Sequence, residues 1–522
     1  MRPVLTAVLL LDALLLVPLW LRYGEPGTRW VALEALLVVA VLALLPARAA
    51  SRRLAWSLTA LVLLGVLVGL GDAATYQALG RSLNLYFDWP LLRSVFDLLA
   101  GSLGALLALL AIPAGMAALV LLVGWLGRAL SALPGTARFG STRWLAGGVA
   151  VASAALIVAQ WQHARPLVVT RTPLVDTFGF QVRQLIDTHR ARRAFAETLA
   201  EHPGEARPLP GLAGRDVLLV FVESYGVSAL EQPRYAEVVG QRLRQMEPRL
   251  AGADLAAVSG TLAAPVRGGQ SWLSHATVLS GLRIDNDLWY RLLLDSERPT
   301  LVDDFRATGH HTLAVMPGIT RAWPEGEAYG FDALYPAKAL GYEGPALNWV
   351  TMPDQYTLHR FQQALRPVDS PVFAQIALIS SHAPWTPILP VLEDWQSVGD
   401  GRVFARWAGA GEAPETLWQD TRRVREHYAR AVAYSLETSL EWITEHVADD
   451  GLVILLGDHQ SAPLITGDAA SDGVPVHVIA GDPALLAPFR ARGFVPGLLP
   501  PQRDSHPGMD RLRDWLHEEF GS

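Results

Sequence analysis

Five apolar runs fill the first third of the chain, at residues 4–21, 30–45, 54–70, 98–127 and 144–161. A spanning helix needs about 17 to 25 residues, which the second run barely reaches and the fourth exceeds, so five transmembrane helices are expected. The first run is longer than the core of a cleaved signal, has no clear small-residue cleavage site and is followed at once by further spans, so it reads as an anchor. Residues 178–200 then read as an amphipathic helix, expected to lie on the membrane or against the next domain. Its Arg183, Arg190, Arg192 and Arg193 would be available for phosphates. Residues 201–211 are dense in proline and glycine, as a linker is.

From residue 215 the pattern changes. Short β-rich runs at 217–223, 255–258, 312–316, 372–379, 452–456 and 474–479 alternate with helical periodicity at 237–250, 272–282, 301–307, 356–365, 416–446 and 509–520. This alternation predicts an α/β domain on a central, mostly parallel sheet. The expected division is a membrane domain over 1–162, a connector over 163–214 and an α/β domain over 215–522.

Charge orients this arrangement. The single lysine, Lys338, lies far downstream, so arginines decide. With the amino terminus in the cytoplasm, Arg2, Arg48, Arg52, Arg53, Arg128, Arg138 and Arg143 fall on that side, against Arg22, Arg29, Arg81 and Arg93 on the other. The bias follows the positive-inside rule, and five passes put everything after Trp161 outside the cytoplasm. The chain has no cysteine, which excludes disulfides, thiolate metal sites and cysteine nucleophiles. A net charge of −7 offers no basic field for nucleic acid. Two membrane-level carboxylates stand out: Asp12 inside the first span, where an ionisable group marks function by default, and Glu34, expected to reach the interface. The outer loop 72–90 mixes aromatics with Arg81, Asn84 and Asp88, as an interfacial belt or a head-group contact would.

The chemistry-bearing residues sit where buried strands end. Residues 452–456 run into Gly457-Asp458-His459-Gln460, and the strand at 217 runs into Glu223-Ser224-Tyr225-Gly226. Open α/β sheets bind ligands at the carboxyl edge, so Glu223, Asp458 and His459 can converge there and offer oxygen and nitrogen donors to one divalent ion. Between them lies Arg267-Gly268-Gly269-Gln270-Ser271, whose serine falls where a helix begins. Free amides and the positive dipole end there suit a hydroxyl that attacks phosphorus. Ser274 and Thr277 are weaker candidates for that hydroxyl. Asp354 and His477 lie near the expected sheet edge without an assigned role.

In their order along the chain these motifs resemble the sulfatase-like branch of the alkaline phosphatase superfamily. Together with the preceding spans they resemble its membrane phosphoglycerol and phosphoethanolamine transferases, among them lipoteichoic acid synthases. The resemblance implies Glu223, Asp458 and His459 as metal ligands, and Ser271 as a metal-touching nucleophile. It further implies His382 and Trp385, in Ser381-His382-Ala383-Pro384-Trp385, and Arg321 and Trp323 as substrate-binding groups, with His382 also a phosphate ligand or leaving-group acid. It implies one or more divalent ions, zinc or manganese. The departures are Gln270, opposite the family's threonine in one alignment, Gln460 where the family has glycine, and a reversed arginine–tryptophan order.

The expected reaction moves a phospholipid head-group phosphate, phosphoglycerol or phosphoethanolamine, through Ser271 to an envelope glycan or lipid acceptor, at a bacterial inner membrane with the catalytic domain periplasmic. The rivals are a membrane-bound phosphodiesterase or sulfatase-like hydrolase, and a non-catalytic sensor with a degenerate site. The Ser271 context lacks the Cys/Ser-x-Pro-x-Arg pattern of formylglycine sulfatases.

Overall fold

The computed structural model describes residues 2–23, 29–86, 88, 105–137, 140–162, 169–201, 205–367, 369–447 and 451–521. The start of the fourth apolar run (98–104), Phe87 and Trp89 of the outer loop, and 202–204 of the linker lie outside the described residues. The chain forms two compact units, Met1–Ala191 and Arg192–Ser522.

The first unit holds α1 (Arg2–Tyr23), α2 (Leu33–Leu44), α3 (Ala49–Leu79), α4 (Ala105–Ser131), α5 (Gly140–Trp161) and most of α6 (Pro173–Glu201). Among the described residues four helices, not five, are long and apolar enough to cross a membrane: Pro3–Tyr23, Ala49–Leu79, Leu109–Ser131 and Gly140–Trp161. The second apolar run forms a shorter apolar helix, α2. Its 12 residues rise about 18 Å against a hydrocarbon core of about 30 Å. Its start is set by a distant segment: Val31 and Ala32 are extended and pair in parallel with Thr170 and Arg171. Asp12 then accepts the Ala32 N–H at 2.7 Å, satisfying a backbone donor where α2 begins within the bundle.

The chain still passes five times. Arg22 pairs with Asp72, and Gln77 Nε2 donates to Leu21 O at 2.6 Å, so α1 and α3 end together. The amides of Gly135 and Ala137 donate to Leu45 O (2.7 Å) and Ala43 O (3.2 Å), which puts the end of α4 at the end of α2. Gln160 donates to Thr170 at 2.8 Å, and Thr170 pairs with Val31, so α5 ends where α2 starts. Helices α1, α3 and α5 therefore run one way and α2 and α4 the other. The chain leaves this unit at the end opposite Arg2.

Both membrane-level carboxylates have structural partners. Asp12 serves α2 as described. Glu34 is 5% exposed, not at an interface; its Oε1 accepts the Leu174 and Val175 amides at 3.0 and 3.2 Å and so caps α6. Helix α6 starts beside the middle of α3, where Gly65 leaves no room for a Cβ against Leu174. Thr188, later on α6, accepts from Asn84 beyond the end of α3 at 3.0 Å. The helix thus climbs parallel to α3 instead of lying flat.

The second unit is an eight-stranded sheet of β1 (Val217–Val222), β2 (Ala256–Ala263), β3 (His311–Met316), β4 (Ala333–Pro336), β5 (Val372–Leu378), β6 (Leu452–Gly457), β7 (Gly473–Ala480) and β8 (Val495–Pro496), in spatial order β8-β2-β7-β6-β1-β5-β3-β4. From β6 to β4 neighbours are parallel; β7, β2 and β8 join antiparallel. Strand β1 is central and buried on both faces, which explains its unbroken apolar run. Leu218, Val220 and Val222 pack in the core with α7 (Val239–Gly252) and α11 (Thr421–His446). Val217, Leu219 and Phe221 pack in the other core, with α8 (Ser271–Ser280), α9 (Leu301–Thr308) and α12 (Arg511–Phe520). A further helix, α10 (Asp354–Arg360), lies in sequence between β4 and β5. Register sets the functional edge: Val222 pairs with Leu378 and with Gly457, so Glu223, Ile379 and Asp458 leave the sheet side by side.

Candidate active site

Glu223, Asp458 and His459 are buried, at 8, 2 and 0% exposure, and one donor atom from each lies within 4.8 Å of the others. His459 Nε2 is 3.3 Å from Glu223 Oε1 and 3.8 Å from Asp458 Oδ2. The other ring nitrogen, Nδ1, is 2.9 Å from Gln460 O. A carbonyl only accepts, so Nδ1 carries a hydrogen and Nε2 is the atom directed at the carboxylates.

Ser271 completes the cluster. Its Oγ donates to Glu223 Oε2 at 3.0 Å and lies 3.3 Å from His459 Nε2. The tight approach to this first residue of α8 explains the glycines before it. Gly268 (φ +75°), Gly269 (φ +148°) and Gln270 (φ +65°) turn the chain through the left-handed region, and the Gly268 amide is held by Gln460 O at 2.8 Å. Gln270, at the N-cap, does not cap the helix with its side chain. Ser274 and Thr277 are fully buried on α8, and the Thr277 hydroxyl donates to Leu273 O at 2.7 Å, back into its own helix.

Three supports hold the cluster that no spacing in the sequence announced. Ser224 has a left-handed backbone, φ +57°; its amide donates to Asp458 Oδ1 at 2.7 Å, its hydroxyl to Glu223 Oε1 at 2.9 Å, and its carbonyl accepts from Tyr428 Oη at 2.9 Å. Ser381 Oγ donates to Glu223 O at 2.6 Å. Asp354 Oδ1 accepts the Ile379 and Ser380 amides at 2.7 and 2.9 Å, fixing the loop that carries Ser381 and His382. Gly457 is required because Tyr225 O occupies the place of a Cβ, and Gly226 because the Gln460 side chain does.

The remaining candidates are spread out. The His382 Nδ1 donates to Ala383 O at 2.6 Å, leaving Nε2 for other partners. Trp385 is buried, donates from Nε1 to Ser381 O at 2.7 Å and stacks on Trp418 at 5.6 Å between ring centroids. Arg321 is exposed in the loop after β3, while Trp323 packs with Ala314, Met316 and Ala377. His477, unassigned from sequence, is a core residue. Its ring joins Ser259 Oγ (2.8 Å) to Tyr225 Oη (3.0 Å), and burial pushes it down to about 3. Burial likewise holds His275 down at about 3.

Electrostatics fit this trio to a divalent cation. Burial and the neighbouring Glu223 charge push Asp458 up to about 7. Burial would depress His459, but Asp458 and Glu223 outweigh it and push it up to about 9. Glu223 is held well below the usual carboxylate range, since the His459 and His382 charges outweigh its burial. Two buried carboxylates therefore compete for positive charge, and a proton on His459 is their nearest source. A bound zinc or manganese ion would serve both and leave the imidazole neutral; the oxygen and nitrogen donors suit either metal.

Residues 215–471 match the family model described as Sulfatase. Over these residues the chain is similar to that family. The sulfatase-like match contains every residue of the cluster and stops before β7. In solved structures the chain is similar to the lipooligosaccharide phosphoethanolamine transferase A of Neisseria meningitidis, at 12% identity over 88% of this chain and 84% of that one, with a TM-score of 0.46. It is similar to the lipoteichoic acid synthase LtaP of Listeria monocytogenes, at 14% over 62% and 78%, TM-score 0.39. It is also similar to the phosphoglycerol transferase GacH of Streptococcus pyogenes, at 12% over 64% and 80%, TM-score 0.38. No curated protein sequence matches the chain.

Proposed function

We propose that the protein transfers the phosphorylated head group of a phospholipid, phosphoglycerol or phosphoethanolamine, through a covalent Ser271 intermediate to an extracytoplasmic glycan or lipid, at a bacterial inner membrane. The observation that carries this reading is the Ser271 hydroxyl at the start of α8, 3.0 Å from Glu223 and 3.3 Å from His459, in a chain whose first unit has four helices of spanning length. Glu223, Asp458 and His459 would hold a divalent ion whose charge lowers the pKa of the serine hydroxyl and steadies negative charge on the phosphate. Ser271 gives up its proton in the direction of Glu223 Oε2, where its hydrogen bond already points. Its oxygen then bonds to phosphorus while the ester bond to diacylglycerol breaks. The helix start places amides and a positive dipole end beside the phosphate. His382 supplies the proton to the departing oxygen from Nε2, and takes one from the acceptor hydroxyl in the second half. Trp385 shapes the loop that carries His382; Arg321 and Trp323 belong to the substrate side of the site.

The test is incubation of the full chain with head-group-labelled phosphatidylglycerol and phosphatidylethanolamine. Label is expected on Ser271 in the native protein and absent in Ser271→Ala, which keeps its fold and metal. Turnover by Ser271→Ala would sink the assignment. Release of water-soluble head group with no dependence on an acceptor would make the protein a hydrolase.

A further inference from the structure

Helix α6 is amphipathic in an unusual sense, because its polar face is the one already partnered. Gln181 Nε2 donates to Leu83 O at 2.7 Å, and Gln181 Oε1 accepts the Leu85 amide at 3.2 Å. Asn84 Nδ2 donates to Gln184 at 3.3 Å and to Thr188 at 3.0 Å. At about 100° per residue these three positions form one face. The opposite face exposes Val182 (56%) and Ile186 (45%), followed by His189 and Arg190, with Arg183 on one flank and Leu185 (50%) on the other.

The level of this face along the bundle is fixed by its neighbours. Tyr23 and Trp161, which end α1 and α5, are both exposed, as in an interfacial aromatic belt. The Trp161 ring lies 3.3 Å from where a Cβ on Gly179 would sit, so α6 passes the belt at Gly179. With a rise of about 1.5 Å per residue, Val182 to Ile186 lie about 4 to 10 Å beyond the belt and Arg190 about 16 Å, within reach of a long side chain that can bend back. Apolar residues next to the belt with arginines beside and beyond them reproduce the order of a lipid's glycerol region and phosphate.

We propose that the Val182–Arg190 face of α6 docks into the head-group layer of the leaflet at this end, with Arg183 and Arg190 on the phosphates of anionic phospholipid. The proposal rests on the long apolar helices spanning a bilayer and is independent of the chemistry at Ser271. The hydrogen-bonded loop at Leu83–Leu85 holds the helix so that this face is turned outward.

The absence of cysteine makes the test direct. Full-length Ile186→Cys and, as a control one residue along the same turn, Asp187→Cys are labelled with a fluorophore and reconstituted in phosphatidylcholine vesicles with or without phosphatidylglycerol. Nitroxide-bearing lipids should quench the label at 186 much more than at 187, and aqueous iodide should do the reverse. Quenching at 186 by lipid should rise with phosphatidylglycerol, and Arg183→Gln with Arg190→Gln should remove that rise. Val182→Cys repeats the measurement should Ile186→Cys fail to insert. Equal iodide quenching at both positions, or a label at 186 that neither quencher reaches, would overturn the proposal. The first outcome makes the face aqueous and the second covers it with protein.

Discussion

At the scale of single residues the site depends on Ser224 as much as on the groups that touch the reaction. One residue spans both carboxylates, its amide on Asp458 and its hydroxyl on Glu223, from a left-handed backbone that Tyr428 holds by the carbonyl. Supports of this kind around metal ligands are worth about 10- to 100-fold in metal affinity. Ser224→Ala should weaken zinc or manganese binding by about that factor, read by chelator competition without reference to turnover. Ser224→Gly, which relaxes the backbone but also lacks the hydroxyl, should be as weak. Native affinity in both would leave the hydroxyl with no part in positioning Glu223. Changing a ligand should do more: Asp458→Asn is expected to lose the ion during gel filtration, measured by elemental analysis, with the domain still folded.

At the scale of elements, the helix that begins at Ser271 is anchored from its far end. Arg513 on α12 donates to Ser280 O at 3.0 Å, the last residue of α8, and to Asp304 on α9 at 2.8 and 3.2 Å; His517 meets Asp304 at 2.9 Å. Asp304 and Arg513 are 0 and 4% exposed, so losing one partner strands a buried charge. Asp304→Asn should therefore cost about 3–5 kcal/mol and lower the Tm. Burial tends to raise the Asp304 carboxyl, but the hydrogen bonds from His517 and Arg513 prevail and it is lowered. A lowered carboxylate stabilises the fold above its unfolded value of about 3.9 and loses that contribution as pH falls through the folded value below it. The Tm gap between the native chain and Asp304→Asn should be wide at pH 7 and close below about pH 4. A gap that widened on acidification would contradict the sign. Strands β7 and β8 and helix α12 lie beyond the family match, so the element that pins α8 comes from outside it.

At the scale of the whole molecule, five alternating passes put the chain after Trp161 at the end of the bundle opposite Arg2. Seven arginines flank the Arg2 end in sequence against four at the other, the bias expected with that end in the cytoplasm. In the cysteine-free chain, Thr136→Cys in the loop after α4 and Lys338→Cys in the sulfatase-like domain should be labelled from opposite faces of the membrane by an impermeant maleimide. Labelling of both from one side would make the number of passes even and move the catalytic edge to the cytoplasm.

Much was legible from sequence because the signals are local. The central strands read as apolar runs because a sheet covered on both faces leaves no alternation. Their ends read as chemistry because Glu223 and Asp458-His459 follow buried strands directly. Ser271 read as a helix start from the glycines before it. What failed was decided by partners far along the chain. Helix α2 is short because Asp12 meets its first turn, twenty residues away. Glu34 is buried because α6 brings its amides back from position 174. Strand β2 runs on through Ser259, Gly260 and Thr261, polar or small, because His477 and Phe494 pack there. The edge strands β4 and β8 have four and two residues, too few to show a period. Ser224, Ser381, Asp354 and Tyr428 matter through distances that no spacing encodes. Periodicity and strand ends are properties of a few consecutive residues, so the sequence by itself determined the two-part architecture, the carboxyl edge and the candidates on it. Which of them meet, and what holds them, depends on register and on contacts between residues far apart in the chain, as between Ser224 and Asp458, 234 positions apart, and only the tertiary structure decided that.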